Sequence, residues 1–166
     1  MRCWRNGKAA EWIVQKASEM GVAEVRFFPA AHSPVSRGES AADHARRWER
    51  IAWESCKQCD RQFPPAIAWD ESLAAAMGAM ADPPEEGAWR WLLDPHQGET
   101  PAQAMGSAGG GEPTSVAVLI GPEGGFAPDE TDAARRAGFT PVRMGELVFR
   151  AETAALAACA VVLFGR

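Results

Sequence analysis

Two segments of this chain carry residue types whose spacing could do chemistry. Leu119-Ile120-Gly121-Pro122-Glu123-Gly124-Gly125-Phe126 is a glycine-rich turn that leaves the apolar run Val116 to Ile120. Downstream, Met144 to Ala154 supplies an arginine and a glutamate on either side of Ala151, namely Arg150 and Glu152. The apolar run reads as a buried parallel strand, so the glycines fall at a strand's carboxyl end, where open α/β sheets bind ligands. A dinucleotide fingerprint needs G-x-G-x-x-G and a phosphate loop ends in Gly-Lys-Ser/Thr; neither pattern is present. Pro122 removes a backbone donor and Glu123 puts a carboxylate where a polyphosphate would sit. What remains is a tight, carbonyl-rich turn, suited to holding an adenine edge and a ribose through main-chain bonds and to tolerating positive charge such as a sulfonium.

The elements that must position these segments alternate. A helix is expected over Lys8 to Met20, closed by Gly21, then a strand over Glu24 to Phe28 and a long helix from Ala41 to about Arg61. Asp70 is placed to cap a helix running to about Met80, and Ala88 to Leu93 reads as a strand ending at Asp94-Pro95. Pro128 opens a helix with Asp129 and Glu130 in its first turn, Gly138 ends it, and strand Thr140 to Met144 leads to an apolar closing helix from about Ala151. This alternation predicts an α/β fold, a mostly parallel sheet with helices on both faces. Residues 1–166 are read as a single domain, with flexible surface segments at 82–87 and 107–113.

Charge is divided unevenly. Residues 1–69 carry 11 Lys and Arg against 8 Asp and Glu, whereas residues 70–166 carry 6 against 14, within a net charge of -5. A polyanion is expected to meet the first half. At about 100° per residue, Arg46, Arg50, Lys57 and Arg61 share one side of the long helix with Trp53 near its edge, a basic stripe with one aromatic. Trp48, Ile51, Ser55 and Cys59 mark its opposite, buried side. The Cys56-x-x-Cys59 pair lacks a second pair to complete a zinc site, so the cysteines read as buried thiols and no metal is expected. The three histidines read as structural or solvated. The longest apolar run, Ala154 to Phe164, falls short of the roughly 20 residues that span a bilayer, so a cytoplasmic protein is expected.

The motifs resemble those of the SPOUT-type ribosomal RNA methyltransferases of the RsmE group. Ile120 to Phe126 is similar to that group's IGPEGGF turn, Met144 to Ala154 to its LGxRILRTETA segment, Gln15 to Val22 to its QKATELGV helix end, and Gln58, Arg61 and Pro65 to its QxxRxxxP element. Leu147 stands where the group usually has an arginine, and the group's amino-terminal β-barrel has no counterpart before the first matching segment.

The resemblance implies a carboxyl-terminal trefoil knot, a homodimer, S-adenosylmethionine as methyl donor, and N3 of a uridine in small-subunit (16S) ribosomal RNA as acceptor. The donor site it implies comprises Ile120, Gly121, Pro122, Glu123, Gly124, Met144, Gly145, Leu147 and Val148. Arg150 would stabilise the anion formed when the acidic N3 proton leaves, and Glu152 would orient Arg150 or accept that proton. The alternatives are a non-catalytic or partner-dependent knotted RNA-binding domain and, more remotely, a nicotinamide-dependent Rossmann-like oxidoreductase.

Overall fold

The computed structural model describes residues 7–32, 41–80, 85–107 and 111–165. Helix α1 (Gly7–Glu19) buries Ala10, Ile13, Val14 and Ala17, the i, i+3, i+4, i+7 stripe of an amphipathic helix. It closes at Gly21: Val22 N–H reaches Ala17 O at 3.0 Å and Gly21 N–H reaches Ser18 O at 3.3 Å. Strand β1 (Glu24–Phe27) and helix α2 (Ala41–Gln58) follow. The buried side of α2 carries Trp48, Ala52, Ser55 and Cys56, with His44 stacked on Trp48 at 5.3 Å between ring centroids.

Strand β2 (Ala66–Trp69) pairs in parallel with β1, Glu24 opposite Ala66 and Phe27 opposite Trp69. The next helix, α3 (Leu73–Gly78), is capped by Ser72, whose Oγ accepts from Ala75 N–H at 3.1 Å, rather than by Asp70. Asp70 is engaged elsewhere. Its carboxylate takes two bonds from the Arg26 guanidinium at 2.7 and 2.9 Å, and its N–H extends the β1 ladder to Phe27 O.

Strand β3 (Trp89–Leu93) is the centre of a three-stranded sheet between β4 (Val116–Ile120) and β5 (Thr140–Val142), both parallel to it. Its side chains alternate in destination. Leu92 joins Leu119 and Phe139 under α3 and α5 (Pro128–Arg136), while Trp89 and Trp91 join Val142 under α4 (Pro101–Ser107) and α6 (Ala151–Phe164). The parallel sheet with helices on both faces is thus observed, with one difference. The ladders form two sheets, and β4 meets β1 through packing of Ile120 with Val25 and Phe27 in the core that α1 and α2 cover.

Helix α4 was not legible from apolar periodicity, and its last residue, Ser107, falls where the sequence suggests a loop. Of the segments expected to be flexible, residues 82–84 and 108–110 lie outside the described residues. No helix among the described residues is long and apolar enough to cross a membrane.

After β3 the chain folds back onto β5. Glu99 N–H donates to Pro141 O at 3.1 Å, and Arg143 N–H and Asp94 N–H donate to Glu99 O and Val142 O at 2.9 and 3.0 Å. Gly98, at φ +119°, lies so close that a Cβ there would sit 2.5 Å from Pro141 O. This crossing fixes the carboxyl ends of β3 and β5 beside that of β4.

Candidate functional site

Three parallel strands end together, and a cleft of about 240 Å³ opens where they do. Its walls are the segment after β3 through His96, the turn after β4 through Phe126 and the segment after β5 through Phe149, with Ala151 and Ala154 of α6 closing one side. The nine residues singled out in the sequence, Ile120 to Gly124 together with Met144, Gly145, Leu147 and Val148, all line it. The two segments are brought together by sheet register: Leu93 lies opposite Ile120 on one side and Val142 on the other.

The turn itself is built from local bonds. Gly125 N–H donates to Pro122 O at 2.9 Å, and Gly125 then takes φ +72°, a conformation open to glycine at little cost. The chain next enters α5, where Glu130 Oε2 accepts from Ala127 N–H at 2.9 Å. The Phe126 ring stacks on Phe28 at 6.5 Å and anchors the far end of the turn in the core.

The lining is acidic and apolar. Asp94 and Glu123 border the cleft, and among the described residues no lysine or arginine lines it. Asp94 is held in place by bonds from His96 N–H at 2.8 Å, Gln97 N–H at 3.2 Å and Gln97 Nε2 at 3.0 Å. Ile120, Val142, Met144 and Ala154 offer apolar surface. Such a lining repels a pyrophosphate and suits a flat apolar ring attached to a positively charged group.

Arg150 is the N-cap residue of α6, exposed, between Phe149 and Ala151 of the cleft wall. Glu152 does not share that side. About 100° further round the helix from Ala151, it lies with Trp12, Lys16, Leu156 and Cys159 in a small depression facing α1.

Two histidines were underrated by sequence reasoning. His96 lines the cleft, and His32 Nδ1 lies 3.1 Å from Gly124 O and 3.2 Å from Gly125 O. No spacing signal announces the second contact, which joins residues 92 and 93 positions apart.

On α2, Arg46, Arg50 and Lys57 are exposed and Trp53 is 49% exposed, with Arg46 paired to Asp43 at 2.6 Å. Arg61 is not part of this face. The helix ends at Gln58, Asp60 turns left-handed at φ 57°, and the Arg61 guanidinium donates to Ser18 O at 3.1 Å and Val22 O at 2.8 Å. Ser18 O belongs to the last turn of α1, where a cation is favoured, so these bonds join the residue after α2 to the end of α1. Cys56, Cys59 and Cys159 are free thiols, and among the described residues no cluster of three or more His, Cys, Asp or Glu is placed to hold a metal.

A family model described as an RNA methyltransferase domain matches residues 2–163. The chain is 28% identical over 159 residues to the ribosomal RNA small subunit methyltransferase E of Bacillus subtilis (strain 168), covering 95% of this chain and 62% of that protein. It is 29% identical over 154 residues to the protein of the same name from Mycobacterium tuberculosis, covering 92% and 57%. Among solved structures it is similar to a ribosomal RNA small subunit methyltransferase E from Neisseria gonorrhoeae bound to S-adenosyl methionine, with a TM-score of 0.80, 26% identity and coverage of 96% of this chain and 62% of that one. The chain spans about three fifths of the length of such relatives.

Proposed function

The chain belongs to the RNA methyltransferase domain family, and from that premise we propose that it transfers a methyl group from S-adenosylmethionine to N3 of a uridine in 16S ribosomal RNA. The observation that carries this reading is the cleft at the three strand ends, walled by both motif segments and bordered by Asp94 and Glu123, with no lysine or arginine in its lining among the described residues. A nicotinamide dinucleotide would bring its pyrophosphate into that acidic border, so the oxidoreductase reading is the weaker one.

The residues present fit the donor. Backbone groups of Gly121 to Gly124 and of Met144 to Val148 would hold it, with Ile120, Val142 and Met144 as apolar surface for its adenine and the two carboxylates facing its positive end. When bound, the donor supplies a methyl group on a sulfonium, already reactive toward a nitrogen lone pair. What the chain must add is alignment and charge control. Arg150, at the exposed rim, would face the oxygen and nitrogen of the uracil ring as its N3 proton passes to solvent water, and stabilise the anion until the methyl group bonds to N3. Phe149, 37% exposed beside it, gives the entering base an apolar surface.

Residues 1–166 are read as one methyltransferase domain. The return of the chain onto β5 is read as part of a trefoil knot, supported by the backbone bonds that Asp94 and Glu99 make with residues 141–143. Helix α6 is apolar nearly all round yet buries only Ala151, Ala155, Ala158 and Val162 fully, which supports a homodimer that covers the rest. Arg46, Arg50 and Lys57 are proposed to meet RNA phosphates, on the ribosomal RNA or the small subunit, in the cytoplasm. Leu147, standing where the group usually has an arginine, supports a second reading, a non-catalytic or partner-dependent RNA-binding domain.

Titration calorimetry with S-adenosylhomocysteine and with NAD, followed by mass spectrometry of 16S RNA incubated with the donor, tests the proposal. Micromolar binding of the first compound only, with a methyl added to one uridine, is the expected result. Binding without methylation would leave the partner-dependent reading, and failure of both would remove the cleft from the account.

A further inference from the structure

We infer that His32 is a positioning residue, a clasp that holds Gly124 and Gly125 in the shape the cleft requires. The inference rests on reading the cleft as the donor site. Both neighbours of His32 Nδ1 are carbonyl oxygens, Gly124 O at 3.1 Å and Gly125 O at 3.2 Å, so Nδ1 carries the hydrogen and donates to the pair.

Packing adds a second constraint. A Cβ built on Gly124 would lie 3.1 Å from the Cβ of His32, so the two segments already meet at close range. A third is the Glu130 carboxylate, which accepts from Ala31 N–H at 2.8 Å with one oxygen and from Ala127 N–H at 2.9 Å with the other. The residue before His32 and the residue opening α5 are thereby tied to one group. The segment after β1 is fastened to both ends of the Gly124 to Ala127 stretch. Consecutive glycines lose more freedom on ordering than any other pair, so a bond spanning both of their carbonyls acts on the part of the turn that most needs it.

The clasp predicts a split between binding and folding. Calorimetry on the whole chain with S-adenosylhomocysteine should show His32→Ala weakening affinity about five- to tenfold, the loss of one hydrogen bond, with little change in Tm. His32→Asn, whose side-chain amide can take the place of Nδ1, should recover most of that affinity, and His32→Gln, one carbon longer, should not. Amide hydrogen exchange at Gly125 and Phe126 gives a readout that needs no ligand, and should quicken in His32→Ala and return toward normal in His32→Asn. Unchanged exchange and unchanged affinity in His32→Ala overturn the clasp, as does equal loss in the Ala and Asn variants. If the unaltered chain binds no S-adenosylhomocysteine, the donor-site reading fails while the exchange measurement still decides the clasp.

Discussion

Arg150 and Glu152 stand two positions apart, and helix geometry gives them different neighbours. Arg150 is at the exposed N-cap beside two cleft residues, whereas Glu152 faces α1 near Lys16 and Trp12. Arg150→Ala is expected to lower the rate of methyl transfer by about 10²-fold while leaving S-adenosylhomocysteine affinity within about twofold, because the arginine is assigned to charge that develops only during reaction. Glu152→Gln is expected to leave the rate nearly unchanged; a loss equal to that of Arg150→Ala would return it to the reaction. The cysteines show the same dependence on surroundings. Burial pushes the Cys56 and Cys159 thiols above their ordinary range. The unfolded chain therefore ionises first as pH rises, so the stability these neutral thiols give is complete below about pH 8.5 and is lost as pH climbs through their folded values. Urea denaturation between pH 7 and 10 should show that decline, and replacing both residues by alanine should flatten it.

Elements differ in how far the sequence reveals them, and the reasons are physical. The helices α1, α2 and α6 and the strand β4 announce themselves through apolar periodicity or an unbroken apolar run, whereas α5, which buries only Ala134, is signalled by Pro128, its acidic first turn and Gly138. Helix α4 has seven residues and buries only Ala104 fully, so periodicity is silent. Its signal was a capping box: Thr100 Oγ1 accepts from Gln103 N–H at 3.3 Å, the Gln103 amide oxygen accepts from Thr100 N–H at 2.9 Å, and Pro101 takes the first helical position. The cleft residues were legible because motif and strand end coincide in sequence. The contacts of His32 and Arg61 were not, since each depends on partners roughly 40 to 90 positions away that only the folded chain supplies. The crossing at Gly98 belongs to the same class. With φ +119° and Pro141 O where a Cβ would go, Gly98→Ala is expected to cost at least about 2 kcal/mol, by strain and by loosening β5 from the segment after β3. Denaturant unfolding measures the cost, and a stability equal to that of the unaltered chain would show the crossing to be pliable.

At the scale of the whole molecule, the acidic excess and the proposed RNA substrate must be reconciled. The net charge of -5 opposes binding at long range, so attachment depends on where the positive charge is gathered. Arg46, Arg50 and Lys57 lie exposed along α2 with Trp53, in the half of the chain that carries the cationic excess, while Arg61 closes α1. If the α2 face meets RNA phosphates, each contact contributes about 0.7 to 0.9 to the slope of log affinity against log salt. Reversing Arg46 and Arg50 to glutamate should then lower that slope by about 1.5 or more and weaken binding at every salt concentration, with S-adenosylhomocysteine affinity unaltered. Arg61→Ala separates fold from interface. It removes bonds to Ser18 and Val22 and should lower Tm while leaving the slope in place. A slope unchanged by the double reversal would assign the α2 cations to solvent and remove this face from RNA binding.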